Sequence, residues 1–455
     1  MTLAHAFVAP NSFNALRMGL ACTVIIVHGI AFGGYSTRIG PDYDIAAMAV
    51  DGFFVISGFL IVRSRIRCRT TARYLWHRAV RILPAFWVCQ LVVAFVVAPL
   101  GWLYMRGTLA GYLTASPHGP ISYVLHNLTP RMSFFDIAGT PSGVPFPPAD
   151  SGMPALWNGN LWTLWWEVLC YLGVAALAVF SLLRGRVVLT VLGAVLAVLA
   201  LIRLDPGRTA QLLGPVFESG YGRFAPLFLS GALLSVYAER IPCSRILAAA
   251  SAVMVGIAYY DPGTALRTIS EPSGNYLLGA LPMAYLCVWL AIRLPFQGFG
   301  TKVDLSYGVY IYGSPVQQLA AVYGLYKMGP FPYVISTLAV TFLLATASWF
   351  AVESRALSLR NWTPRTPGAI ARAGARVSGR GPAVTRRTQV AVDGLIPRQR
   401  PAQPAEITQV LDRVLPAGTT EPVGTAGPAG PAGPQALPSA SRRSAGGGGR
   451  QESGE

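Results

Sequence analysis

The stretch Ile45-Ala46-Ala47-Met48-Ala49-Val50-Asp51-Gly52-Phe53-Phe54-Val55-Ile56-Ser57-Gly58-Phe59-Leu60-Ile61-Val62 is followed by Arg63, Arg65, Arg67, Arg69, Arg73, Arg78 and Arg81, with no acidic residue among the arginines. Roughly 20 residues of helix cross the hydrocarbon of a bilayer. Arginine crowded at the end of such a segment is the mark of a cytoplasmic connection. The stretch therefore reads as a membrane span that emerges into the cytoplasm, with a second span following it.

The rest of the chain repeats the pattern. Of 455 residues, 53% are hydrophobic and only 12% charged, about half the charge of an ordinary soluble domain. Apolar segments fall at about 14–34, 45–62, 82–101, 160–183, 187–202, 222–238, 246–260, 275–292, 305–326 and 332–352. About ten spans make an all-α polytopic transmembrane bundle, since a helix satisfies its own backbone hydrogen bonds in lipid. Alternation puts Arg184 and Arg186, Arg240 and Arg245, and Arg293 and Lys302 on the same side as the 63–81 cluster. Both termini then lie in the cytoplasm, as befits a multi-pass protein of the cell membrane. The net charge of +17 follows this topology and does not indicate nucleic acid. The longest outer loop, 102–158, is rich in Pro, Gly and Ser and either covers a site or merely connects spans.

Residues 1–363 thus form the membrane domain. From about 364 the sequence turns to Ala, Pro, Gly and Arg, lacks apolar periodicity and is expected to be a disordered cytoplasmic tail. The six cysteines, at 22, 68, 89, 170, 243 and 287, show neither metal-ligand nor disulfide spacing.

Ionisable side chains within spans are costly and so mark candidate sites. His28 is placed in the outer half of the first span, with Arg17 eleven residues before it on the same helical face and roughly 16 Å away along the axis. Packing against a neighbouring helix is the plain alternative for this imidazole. Asp51 opens the second span and either caps it or pairs with a neighbour such as His28, while Ser57 and Gly58 let helices approach closely. Glu167, among Trp162, Trp165 and Trp166, must be protonated or paired at that depth. It either orients an imidazole or pairs with an arginine. Arg78 and Arg81 project to neighbouring positions, where two guanidinium forks suit a phosphate-bearing ligand or serve as interfacial anchors.

In order along about 11–360, these residues resemble the acyltransferase-3 family of membrane proteins. Asn14-Ala15-Leu16-Arg17 through His28 is similar to its first-helix motif, and Asp51 through Phe59 to its second-helix signature. Arg78-Ala79-Val80-Arg81-Ile82-Leu83-Pro84 matches its Arg-x-x-Arg segment. Leu161-Trp162-Thr163-Leu164 with Glu167 and Tyr171 resembles a further motif, as do Tyr221-Gly222-Arg223-Phe224 with Gly231 and Asp304-Leu305-Ser306-Tyr307-Gly308. Asn14 replaces a common Asp, Val168-Leu169 leaves Glu167 as the lone carboxylate of its segment, and Val352-Glu353-Ser354-Arg355 lacks the usual basic-Pro pair. No SGNH-type hydrolase domain is expected after the tenth span among these 455 residues.

The resemblance implies an O-acyltransferase that moves an acyl group, acetyl by default, from cytoplasmic acyl-CoA to a hydroxyl of an extracytoplasmic glycan. In that scheme Arg78 and Arg81, with Arg17, hold the donor's phosphates. His28, oriented by Glu167 or Asp51, deprotonates the acceptor or carries the acyl group, and no metal takes part. A proton-coupled transporter or flippase of glycan precursors is the competing expectation, since intramembrane His, Glu and Arg suit it equally.

Overall fold

A computed structural model of the chain describes residues 1–7, 11–35, 45–68, 70–147, 156–204, 221–259 and 275–361. The tail expected over 364–455 lies outside the described residues, as do the acidic and basic residues of 205–220.

All the long elements are helices. In chain order they are α1 (Phe13–Phe32), α2 (Ile45–Arg67), α3 (Thr71–Arg106), α4 (Thr163–Val179), α5 (Gly185–Leu204), α6 (Tyr221–Val236), α7 (Arg245–Tyr259), α8 (Asn275–Arg293), α9 (Ser306–Val322) and α10 (Pro330–Ser358). Each coincides with one of the ten expected spans. Five segments are long and apolar enough to cross a membrane, namely α1, α2, α3, α10 and Gly159–Val179, which is α4 with its leading 3₁₀ turn. The others are shorter apolar helices, apart from α9, which is not apolar and carries Ser306, Ser314, Gln317 and Gln318.

Three features differ informatively from the sequence expectation. The arginine-rich connection is only a short turn, because Arg63, Arg65 and Arg67 end α2 while Arg73, Arg78 and Arg81 lie within α3. Asp51 does not cap α2, whose first helical residue is Ile45, and its side chain is fully buried. The α3 helix also runs through a π turn at Val93–Val97 before ending at Arg106, which makes it far longer than a minimal span.

The residues between α3 and α4 are more than a connector. They carry a short helix, Pro120–His126, and bury Tyr112, Tyr123, Asn127 and Trp157. The Trp157 indole donates to Thr140 Oγ1 at 3.0 Å, and Asn127 holds the Ser133–Phe134 backbone. Residues 148–155 of this loop lie outside the described residues.

Backbone contacts settle how the helix ends group together. The Ser12 N–H and hydroxyl reach Ala291 and Leu294, Asn14 reaches Gly300, and the Leu3 and Ala4 N–H groups reach Ile241 and Ala238. Trp76 and His77 meet the Leu359 and Arg360 carbonyls. The N-terminus, the α2–α3 turn, the α6–α7 and α8–α9 connections and the end of α10 thus share one end of the bundle. The alternation expected from the arginines requires this grouping.

Two helices organise the interior. The α9 helix is buried over Ser306–Gln318, packed against α1, α3 and α10. The α2 helix packs against α1, α4, α6 and α8. Its contact with α6 is the tightest and rests on two glycines. A Cβ on Gly58 would stand 2.0 Å from the Phe228 carbonyl oxygen, and one on Gly231 would stand 2.1 Å from that of Val55. Each helix presses its backbone into the gap left by the other's missing side chain, as small residues allow in membranes.

Gly58→Ala and Gly231→Ala are each expected to cost about 1–3 kcal/mol through overpacking, read as lower thermal stability of the detergent-solubilised protein. Gly19→Ala, where an added Cβ meets nothing within 4 Å, should leave stability unchanged or raise it slightly.

Candidate active site

A charged centre joins α1, α3, α9 and α10. Asp304, just before α9, accepts from Arg81 at 2.6 Å and from Arg17 at 3.1 Å through one carboxylate oxygen. Its other oxygen accepts from the Ser306 hydroxyl at 2.6 Å and the Ser306 N–H at 3.2 Å. Burial opposes charge on this carboxyl, but the two guanidinium groups and Ser306 outweigh it and hold Asp304 down at about 2. Arg81 also lies 4.0 Å from buried Glu353 of α10, which accepts from Ser348 at 3.3 Å. Arg17 and Arg81 are therefore tied into the protein. Arg78 is not among the partners of Asp304, and its guanidinium lies 5.8 Å from the centre of the Tyr171 ring.

A small cavity of about 50 Å³ lies between α1, α2, α4 and α9 and shares Arg17 and Ser306 with this centre. Arg17, which belongs to the charged centre, forms its floor, and Ser57, Glu167, Thr163 and Tyr310 stand in its walls. The carboxylate of Glu167 accepts hydrogen bonds from the Tyr171 hydroxyl, one helical turn on, and from Ser57 Oγ at 3.4 Å. Tyr310 closes the far wall, sharing a 2.6 Å hydrogen bond with Thr163 and donating to the Asn160 carbonyl at 3.0 Å. Local sequence explains the placement. Gly159–Trp162 forms a 3₁₀ turn, and its Asn160 side chain donates to the Tyr310 carbonyl and accepts from Ser314, so the start of α4 is fixed against α9.

His28 stands elsewhere. It lies near the end of α1, with its ring 5.7 Å from that of Phe32, and it is not in the wall of the cavity among the described residues. At its level Gln317 of α9 donates to the Ile25 carbonyl at 2.6 Å, and a Cβ on the next residue, Gly29, would meet Gln317 at 2.8 Å. The partners of Glu167 are hydroxyl groups rather than the imidazole. Asp51 accepts from Arg223 Nε at 2.9 Å and from the Tyr259 hydroxyl at 2.6 Å, which joins α2 to α6 and α7.

The structure thus brings Arg17 and Arg81 together at one end, and Arg17 and Glu167 around one cavity. It sets Asp51 in a separate cluster and His28 toward the opposite end. The sequence reading quoted Asp304 and Glu353 but gave neither a role. The available signal was charge accounting, since two arginines on neighbouring spans need a compensating carboxylate. Gln317 and Tyr259 left no such signal.

A helical membrane bundle with an internal polar cavity beside a charged centre defines the class of protein. The family model described as an acyltransferase domain matches residues 11–350, and the chain belongs to this acyltransferase family as an O-acyltransferase. It is 26% identical over 363 residues to the O-acetyl transferase of Shigella phage Sf6, covering 76% of this chain and 96% of that protein. It is 27% identical over 369 residues to nodulation protein 10 of Rhizobium leguminosarum bv. viciae, covering 77% and 94%. No solved structure matches.

Removing Asp304 leaves Arg17 and Arg81 facing each other without their shared anion. Asp304→Asn is expected to cost about 3–5 kcal/mol, more than Arg17→Gln, which leaves the Arg81 pair intact. Thermal unfolding of the two variants in the same detergent gives the order directly.

Proposed function

We propose that the chain transfers an acetyl group from cytoplasmic acetyl-CoA to a hydroxyl of an extracytoplasmic glycan. The observation that carries this reading is the cavity between α1, α2, α4 and α9, with Arg17 at its floor and Glu167 in its wall, in a chain of an acyltransferase family. The arginine-bearing end of the bundle faces the cytoplasm in this reading, as the positive-inside rule favours. The small volume of the cavity suits a two-carbon acyl group. The name of the phage relative also supports acetyl transfer to oxygen. Exposed aromatic rings at the opposite end, Tyr104 beside Tyr323 at 4.4 Å, offer faces on which a sugar ring stacks.

The donor thioester enters the cavity from the Arg17 end. Arg17 presents its guanidinium at the cavity floor, with Asp304 holding Arg17 and Arg81 in place, and Arg78 faces the neighbouring Tyr171 ring. Glu167, aligned by Tyr171 and Ser57, places a fixed hydrogen-bonding carboxyl beside the path. His28 takes the acceptor hydroxyl proton as the new C–O bond forms and the C–S bond breaks, and the departing thiolate recovers a proton. In the alternative route the acyl group passes first to His28 and then to the acceptor. Asp51 acts through position, by fixing α2 against α6 and α7. Family membership favours this transfer over the transporter reading.

The test is release of free CoA from acetyl-CoA by purified, reconstituted protein across a panel of glycan acceptors. Acceptor-dependent release should fall about 10²–10⁴-fold in His28→Ala, the range for loss of a general base, and less steeply in Glu167→Gln. Full activity in folded His28→Ala sinks the proposed role of the imidazole. No release with any acceptor from folded wild type sinks the donor reading.

A further inference from the structure

A second and larger cavity, about 450 Å³, opens at the arginine-bearing end of the bundle. Arg63 and Arg67 of α2, Arg73 of α3 and Arg360 beyond α10 line it, together with His77 and Phe7. None of the described residues lining it is acidic. This contrasts with the charged centre nearby, where Asp304 and Glu353 compensate Arg17 and Arg81. A void of this size matches small-molecule sites, and four guanidinium groups around it create a field that attracts anions.

The lining is held in place. Arg63 lies 4.3 Å from the centre of the Phe7 ring, and its Nε is buried with no hydrogen-bond partner among the described residues. The Arg360 segment is pinned to α3 by the Trp76 indole, which donates to the Leu359 carbonyl at 3.0 Å, and by His77 Nε2, 3.1 Å from the Arg360 carbonyl. The cavity also stands in register with the inner one. Ser57 lines the inner cavity and Ser64 the basic one, and seven residues apart they share a face of α2. From Ser57 to Arg67 the helix rises about 15 Å. The extended pantetheine arm of an acyl-CoA bridges that distance.

We infer that this basic cavity holds the phosphate-rich nucleotide end of the donor, with Arg63, Arg67 and Arg360 contacting its phosphates. The inference rests on the acyl-CoA reading above. It moves the phosphates away from Arg17 and Arg81, which Asp304 already occupies, to guanidinium groups around an open void. An anionic phospholipid headgroup presents the same phosphate chemistry, so the test must separate the two sources.

The experiment uses the full-length protein in nanodiscs of zwitterionic lipid, comparing wild type with the triple variant Arg63→Gln/Arg67→Gln/Arg360→Gln. The probes are acetyl-CoA, S-acetyl-pantetheine, which lacks the nucleotide, and adenosine 3′,5′-bisphosphate as competitor. Charge-assisted phosphate contacts predict a rise of at least about tenfold in KM for acetyl-CoA in the variant. The bisphosphate should inhibit wild type competitively and inhibit the variant far less, and kcat/KM for S-acetyl-pantetheine should fall much less than that for acetyl-CoA. A variant with unchanged KM and unchanged bisphosphate inhibition overturns the inference while the donor reading survives. Equal loss with both donors, or recovery on adding anionic phospholipid, identifies a structural or lipid-headgroup site and also overturns it. Wild type that neither binds nor turns over acetyl-CoA removes the donor reading itself, and this inference with it.

Discussion

One carboxylate shared by two guanidinium groups is the constraint on which this bundle depends. Charges taken out of water are tolerated only when paired and hydrogen-bonded, and Asp304 does both for Arg17 and Arg81 while Ser306 satisfies its second oxygen. These partners come from α1, α3 and the start of α9, with Glu353 of α10 at the edge. The centre therefore fixes four helices at one level. It also gives the inner cavity a charged floor, because Arg17 belongs to both.

Above that floor the helices are held apart and together by different means. Between α2 and α6 the backbones touch through Gly58 and Gly231. Between α4 and α9 the contact is polar, through Asn160, Thr163, Tyr310 and Ser314. A helix this buried cannot rely on apolar packing alone when it carries Ser306, Ser314, Gln317 and Gln318. Ser306 bonds Asp304 just before the helix, Ser314 bonds Asn160, and the Gln317 and Gln318 amide N–H groups donate to the Ile25 and Phe146 carbonyls. Hydrogen bonds thus tie α9 to its neighbours, and the cavity wall at Tyr310 is fixed by Thr163 and Asn160. The narrow void persists where the side chains of Ser57, Glu167 and Tyr310 meet without closing.

Much of this was legible in the sequence. Ten apolar segments gave the helices, and arginines at their ends gave the grouping of connections, because both signals come from the bilayer and act locally along the chain. The close-packing role of Gly58 was legible for the same reason. Other features needed pairing information. Asp51 looked like a helix cap because a carboxylate before an apolar run has that use, yet its partners Arg223 and Tyr259 lie more than 170 residues away. Asp304 sat in a recognised motif, but only the fold shows that it serves two arginines from other helices. The basic cavity was hidden in plain view. The residues Arg63, Arg67 and Arg73 looked like topology signals, and only the return of the Arg360 segment to α3 turns them into the lining of a void.

The separation between Glu167 and His28 shapes the proposed chemistry. Eleven residues of α1 from Arg17 to His28 rise roughly 16 Å, and Gln317, bonded to Ile25, fills the α1–α9 interface at that upper level. A thioester that enters at Arg17 and reaches Tyr310 has covered only part of this distance. At that upper level the two helices are packed without spare room, because a Cβ on Gly29 would meet Gln317 at 2.8 Å and one on Gly313 would meet Ile25 at 2.1 Å.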